Sequence, residues 1–288
     1  MASILENLKI LRERTGVGIL ECKKALNEAA NNIEDAIDAL RKSGQAKAVK
    51  KSTRIAAEGK IAVKSNDDFA SIIEVNCETD FVAKDKNFLD FSESLLDLID
   101  NDIDLSNLDN IEIGGKAVSE IKAELVSKVG ENIQIRRPLV VTSNDGSKFV
   151  SYSHGGRIGV IVEYKGDKND KIANDVAMQV AAMNPSAISM EDIPKDVVEK
   201  EKEIATHKLK DLDTPEEFYE RRLNSQVNKV LKAMTLLDQN SIIDPDSKVS
   251  SILKENKMEI INFIRYEVGE GIEKKQDNFV EEVMSQVK

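Results

Sequence analysis

At Lys60 the hydrophobic period of this chain changes from helical spacing, about 3.6 residues, to the strand spacing of about two, and it switches again several times downstream. Alternating runs of strands and helices lead to an α+β fold. KIAVKS and FASIIEVN, joined by Asn66-Asp67-Asp68, read as a β-hairpin. Phe88, Phe91, Leu95, Leu98 and Ile99 then take helical spacing through about Asn101, and a second helix runs from roughly Lys116 to Val129, where Gly130 supplies a left-handed cap. The strands IQIRRPLVV, KFVSYSH and RIGVIVEY follow, the first two separated by the turn Asn144-Asp145-Gly146. A helix from about Asp170 to Met183 closes this pattern at Asn184-Pro185. Hairpin followed by helix therefore occurs twice, a weak architectural repeat that suggests two related lobes of antiparallel sheet and helix, over 55–143 and over 144–190 with 235–268.

Three short helical patterns precede Lys60. Ile4, Leu8 and Leu11 share a face; Leu20, Lys23 and Ala25-Leu26 follow Thr15-Gly16-Val17-Gly18; Ile33, Ala36, Ile37 and Leu40 follow Asn31-Asn32 and are expected to stop at Gly44. A three-helix unit of this size has a marginal core and needs a tether or a partner. RKSGQAKAVKKSTR (41–54), with six basic residues and no acid, reads as a basic linker or a helix extension, completing an N-terminal domain over 1–54. Over 191–234, helical stretches flank Asp213-Thr214-Pro215, with Val197, Ile204, Val227 and Leu231 as a thin apolar stripe, the pattern of an antiparallel helical-hairpin insertion. VSSILKE reads as a helix, MEIINFIRYEV as a strand, and FVEEVMSQV as the helix of a small C-terminal module over 269–288.

The balance of charges excludes several function classes. The net charge of −11 argues against the phosphate-neutralising surface of a nucleic-acid binder. Two cysteines, Cys22 and Cys77, make neither a disulfide framework nor a CxxC motif and suit a reducing cytoplasm. No apolar run reaches the roughly 20 residues of a membrane span, and Glu6 interrupts the opening segment where a signal peptide needs an apolar core.

Catalytic motifs are missing in a similar way. There is no GxxxxGK[ST] loop, and Gly16-Val17-Gly18 and Gly269-Glu270-Gly271 lack the third glycine and the preceding strand of a dinucleotide fingerprint. DNDIDLSNLDNIE (100–112) begins like a calcium loop but has Leu105 where glycine must turn and Ile111 where the bidentate glutamate belongs, so no metal site is expected. Only His154 and His207 could serve a nucleophile–histidine pair. His207 reads as a surface residue, and His154, before Gly155-Gly156, suits either a local backbone hydrogen bond or a contact role. The pattern is not that of an enzyme.

EVNCETDFVAK (74–84) sets Asp80 beside Phe81 in what should be a solvent-facing turn. On the residues alone, Thr79 is a helix N-cap, Asp80 lies in the first turn and Phe81 is folded beneath it. This segment and LRERTGVGILECKKAL (11–26) resemble the signature segments of the bacterial elongation factor Ts family, the guanine-nucleotide exchange factors of elongation factor Tu. Similarity extends through SKVGENIQIRR, SYSHGGRIGV and INFIRYEVGEGIEKK.

The resemblance implies an N-terminal domain like ubiquitin-associated folds, a two-lobed α+β core, a helical-hairpin insertion and a small C-terminal module. It also implies a partner, elongation factor Tu, contacted through its GTPase domain and another of its domains, with no cofactor, no nucleotide site and no membrane or nucleic-acid contact on this chain. Asp80 and Phe81, with Thr79 and Val82 around them, would press on the GTPase domain near its magnesium and phosphate site. Arg12, Ile19, Leu20 and Lys23 would dock the N-terminal domain, Ile19 and Leu20 standing where relatives often carry methionine. His154, Val129 and Gly130 match contact positions of the core. Bland readings stand beside these: Leu20 as core and Cys22 as a small buried residue. Two alternatives of other kinds are a translation-associated binding protein or chaperone without exchange activity, and an RNA binder using 41–54.

Overall fold

The computed structural model describes residues 4–100, 102–143, 146–210 and 216–273. The turn expected at Asn144-Asp145, the break at Asp213-Thr214-Pro215 and the terminal helix FVEEVMSQV lie outside the described residues. Helices α1 (Ile4–Thr15), α2 (Ile19–Glu28) and α3 (Ile33–Lys51) precede strands β1 (Glu58–Ser65) and β2 (Phe69–Cys77). The single turn α4 (Asp80–Ala83), helix α5 (Lys86–Leu98), the short strands β3 (Glu112–Ile113) and β4 (Lys116–Ala117), helix α6 (Val118–Val129) and strand β5 (Gln134–Thr142) follow. The chain continues through β6 (Lys148–His154), β7 (Ile158–Gly166), α7 (Asp170–Met183), α8 (Lys195–Lys210), α9 (Glu216–Met234), α10 (Val249–Glu255) and β8 (Met258–Glu267). Strand orders are β1-β2-β5, β3-β4 and β6-β7-β8, with β3/β4 and β6/β7 antiparallel, so the protein is α+β. Two compact units form, one from 1–62, 73–138 and 267–288 and the other from 63–72 and 139–266. Among the described residues no helix is long and apolar enough to cross a membrane.

In the first unit Leu8, Leu11, Cys22, Leu26 and Leu40 make the core of the three N-terminal helices. The expected stop at Gly44 does not occur: α3 runs on to Lys51. Glycine inside a helix costs about 1 kcal/mol relative to alanine. Here Gly44 is buried against α6, where an added Cβ would already stand 3.5 Å from the Ala123 carbonyl and the Ser127 Cβ. These are ordinary contact distances, so the glycine is not required for the approach; it is the packing of α3 against α6 that offsets the low propensity. Of the two readings of 41–54, the helix extension is the one that forms, and four of its six basic residues are engaged within the protein. Arg41 is 3.6 Å from Glu124, Lys47 2.5 Å from Glu21 and Arg54 3.4 Å from Glu78, while the Lys51 ammonium donates to the Gly130 carbonyl.

Helix α6 starts two residues later than the periodicity suggests, because Lys116 and Ala117 pair with Ile113 and Glu112. Gly114 and Gly115, at φ 59° and 82°, supply the two left-handed residues that such a tight hairpin requires. The calcium-like stretch does something simpler: Asp104 caps the turn Leu105–Asn110, accepting from the Ser106 amide at 3.0 Å and its hydroxyl at 2.6 Å.

Strand β5, at the edge of its sheet, carries Pro138, and edge strands are where proline is tolerated. Just before it, Arg137 adopts a positive φ of 49°, which breaks the alternation of a regular strand. Arg136 and Arg137 both reach Glu74 on β2, at 3.2 and 2.8 Å, although neighbours on a regular strand point to opposite faces. Glu74 is fully buried and also accepts from the Asn76 amide and the Gly269 backbone, each at 2.8 Å.

In the second unit α7 lays Ala173, Val176, Ala177 and Val180 against Val160, Val162 and Tyr164 of β7. Helices α8 and α9 close on each other through Ala205, Leu209, Leu223, Val227 and Leu231. Of the stripe expected there, Val227 and Leu231 are buried and Val197 packs at the margin, but Ile204 faces solvent and Ala205 takes the inner position.

Candidate partner-docking site

Strand β2 ends at Cys77, and the chain enters α4 through Glu78 and Thr79. Thr79 has the extended backbone an N-cap needs, φ −124° and ψ 156°, and its hydroxyl accepts from the Val82 amide at 3.4 Å. The same hydroxyl donates to Glu131 at 2.6 Å. The other carboxylate oxygen of Glu131 accepts from the backbone amides of Glu78 and Thr79, both at 3.0 Å. Glu78 answers in kind, accepting from the Asn132 amide at 2.7 Å and from Arg54. The turn after β2 and the turn after α6 thus each lend the other an acid. Beneath them the buried Cys77 thiol donates to the Thr79 carbonyl at 3.1 Å. Burial, reinforced by the nearby Glu131 and Glu58 carboxylates, pushes this thiol up to about 12, so it stays protonated.

On this support Phe81 stands 81% exposed, the highest value among the exposed large apolar side chains of the described residues. Asp80 is exposed beside it and pairs with Lys84 at 2.7 Å, one turn along, while Val82 is half-buried. Half of the local reading holds: Thr79 caps and Asp80 opens the first turn. The other half does not, because Phe81 is not tucked beneath the turn. A one-turn helix has no face long enough to cover a phenyl ring, and its backbone bonds alone could not hold it in shape.

The second group of candidates surrounds the start of α2. Ile19 is 51% and Leu20 79% exposed, with Lys23 and, on α1, Arg12 also at the surface. Leu20 is therefore not core, whereas Cys22, fully buried and bonded to the Val17 carbonyl at 3.4 Å, is the small packed residue expected. The loop before α2 turns at Gly16, whose positive φ of 67° and missing Cβ leave room for the Lys128 side chain at the end of α6. Next in sequence come half-buried Val129 and exposed Gly130, the latter left-handed at φ 81° as the cap reading requires.

His154 belongs to the other unit. It is exposed at the end of β6, with its Nδ1 3.1 Å from the Tyr152 hydroxyl, and its carbonyl accepts from the Arg157 amide at 3.1 Å, the local backbone bond expected before Gly155-Gly156. His207 is exposed on α8. Sequence reasoning passed over Glu131. The only signal for it was an acid directly after a left-handed glycine cap, and its partners lie about fifty positions earlier in the chain.

Apolar side chains held out to solvent on fixed turns are the kind of feature through which proteins meet other macromolecules. Comparison with known proteins gives the family. Residues 78–270, more than half of the chain, match the family described as Elongation factor TS. The chain is 46% identical to Elongation factor Ts of Legionella pneumophila over 285 residues, covering 96% of each protein. It is 44% identical to Elongation factor Ts of Alkalilimnicola ehrlichii over 292 residues, which is 100% of this chain and 99% of that protein. Against Elongation factor Ts of a Psychrobacter species it is 43% identical over 279 residues, 96% of this chain and 94% of that one. The chain belongs to the elongation factor Ts family.

Proposed function

We propose that this chain is a guanine-nucleotide exchange factor that binds the GDP form of elongation factor Tu and promotes GDP release during translation elongation. Family membership supports the exchange role, and the exposure of Phe81 on a clamped turn is the observation that carries the site. Phe81 acts as an apolar wedge between elements of the partner's GTPase domain, with Asp80 as a charged or hydrogen-bonding contact beside it. Magnesium demands near-ideal octahedral geometry and bridges the nucleotide phosphates, so a small displacement of the elements that hold it weakens both metal and GDP. No covalent bond changes, and the chain needs no nucleotide site, metal or cofactor of its own. By linkage, the factor lowers GDP affinity and GDP lowers the factor's affinity by the same ratio.

Around this centre, Arg12, Ile19, Leu20 and Lys23 dock the N-terminal region on the GTPase domain, and the solvent exposure of the apolar pair favours that role. Val129, Gly130 and His154 contribute further contacts, the last toward another domain of the partner. The layout assigned to the chain is a ubiquitin-associated-like domain with its basic extension over 1–54, core lobes over 55–143 and over 144–190 with 235–268, a helical hairpin over 191–234 and a C-terminal module over 269–288. A cytoplasmic location follows from the role. The engagement of Arg41, Lys47, Lys51 and Arg54 within the protein leaves little support for an RNA-binding patch.

The test is the release of fluorescent GDP from elongation factor Tu, with and without this protein. Wild type is expected to accelerate release and the Asp80→Ala/Phe81→Ala variant to do so far less. A complex that forms without faster release in either case would make the chain a binding relative that lacks exchange activity.

A further inference from the structure

Glu131 lies outside every group of contact residues above, yet it makes three hydrogen bonds to the turn that carries Phe81, at 2.6, 3.0 and 3.0 Å. One of its carboxylate oxygens accepts from the backbone amides of both Glu78 and Thr79. Resting on the exchange reading, we propose that Glu131 is a positioning residue for exchange: its carboxylate fixes the 78–82 turn so that Asp80 and Phe81 meet the partner in one orientation. Three features of the geometry lead there.

First, α4 is four residues long, and a helix that short is not stable by its own backbone bonds in water. Its direction is set by whatever holds its first residues. Thr79 does this only while its hydroxyl, which accepts from Val82, is itself oriented by donating to Glu131. Second, Glu131 is delivered by rigid parts. Gly130 caps α6 in the left-handed region, and its carbonyl accepts from the Lys51 ammonium of α3, which fastens the loop to a long helix. Third, the link is reciprocal, since Asn132, next to Glu131, donates its amide to the Glu78 carboxylate. A wedge transmits force only if its base does not yield, and ordering the turn before contact removes an entropic cost from binding. Phe81 supplies the surface and Glu131 the stiffness.

The experiment is the same release of fluorescent GDP, measured below saturation with Glu131→Ala, Glu131→Gln and Asp80→Ala/Phe81→Ala, alone and combined. Glu131→Ala is expected to lower the rate per unit of factor about tenfold. Glu131→Gln, which keeps a carbonyl oxygen for the two amides, should stay within about threefold of wild type. On the Asp80→Ala/Phe81→Ala background, Glu131→Ala should cost less than about twofold, because nothing is left to orient. A general structural role would cost the same on both backgrounds, and that result, or full activity of Glu131→Ala, overturns the proposal. If Glu131→Ala does not fold, Thr79→Val cuts the shortest of the three bonds from the other side and takes its place in the cycle: a loss of about threefold that disappears on the Asp80→Ala/Phe81→Ala background is expected, and an equal loss on both backgrounds overturns the proposal. If instead wild type accelerates release and Asp80→Ala/Phe81→Ala does so equally well, the exchange site itself has been misassigned, a failure separate from that of Glu131.

Discussion

Seven positions apart along one stretch of chain, Glu74 and Phe81 invert the usual distribution of side chains in opposite ways. Glu74 is a charge at 0% exposure, and Phe81 is a large apolar ring at 81%. Glu74 is answered within the protein by Arg136, Arg137, Asn76 and the Gly269 amide. Phe81 has no comparable cover, although the turn beneath it is secured by the hydrogen bonds of Glu131 and Asn132. A buried charge with its partners present serves the fold, whereas an exposed apolar group on a secured base serves an encounter.

The largest effect that could break this contrast comes from Glu74→Ala. Removing one partner of a buried ionic network leaves the others uncompensated, so a loss of about 3 kcal/mol in a denaturation curve is expected. A loss below about 1 kcal/mol would mean that the network is incidental to stability. Phe81→Ala is the mirror experiment: folding stability should move by less than about 0.5 kcal/mol, and affinity for elongation factor Tu should fall by about 2 kcal/mol, or roughly thirtyfold. A large drop in melting temperature instead would make Phe81 a core residue in solution.

Gly269→Ala sharpens the Glu74 side. Gly269 has a φ of 78°, and an added Cβ would fall 2.4 Å from the Ala57 carbonyl. A cost of at least about 1 kcal/mol is expected from backbone strain alone, with the Gly269 amide drawn away from Glu74. Cys77, between the two inversions, gives the smallest effect. Its thiol is pushed up to about 12, so alkylation of the native protein at pH 8 should be far slower than in denaturant. The folded value lies above the unfolded one, about 8.5, so the associated stability is complete below that pH and is lost as pH rises toward 12. Rapid native alkylation at pH 8 would show that the base of the turn opens easily.

Local chemistry made much of this legible. Threonine before an acid and an apolar residue marked the cap at Thr79, alternation marked β1 and β2, and the glycine after Val129 marked the end of α6. Gly44 misled, since its propensity argues for a stop while its burial against α6 carries α3 onward. The two arginines of β5 were plain in the sequence, but their convergence on one acid depends on the positive φ of Arg137.

The sequence by itself determined the α+β class, through the period of its apolar residues, and the family, through EVNCETDFVAK and LRERTGVGILECKKAL. Each of those features is read from residues close together in the chain, where spacing dictates which side chains share a face. Only the tertiary structure decided that Phe81 faces outward and that Glu131 holds its base. Exposure is a property of what the rest of the chain fails to cover, and a hydrogen bond between residues about fifty positions apart exists only once the turns after β2 and α6 have been brought together.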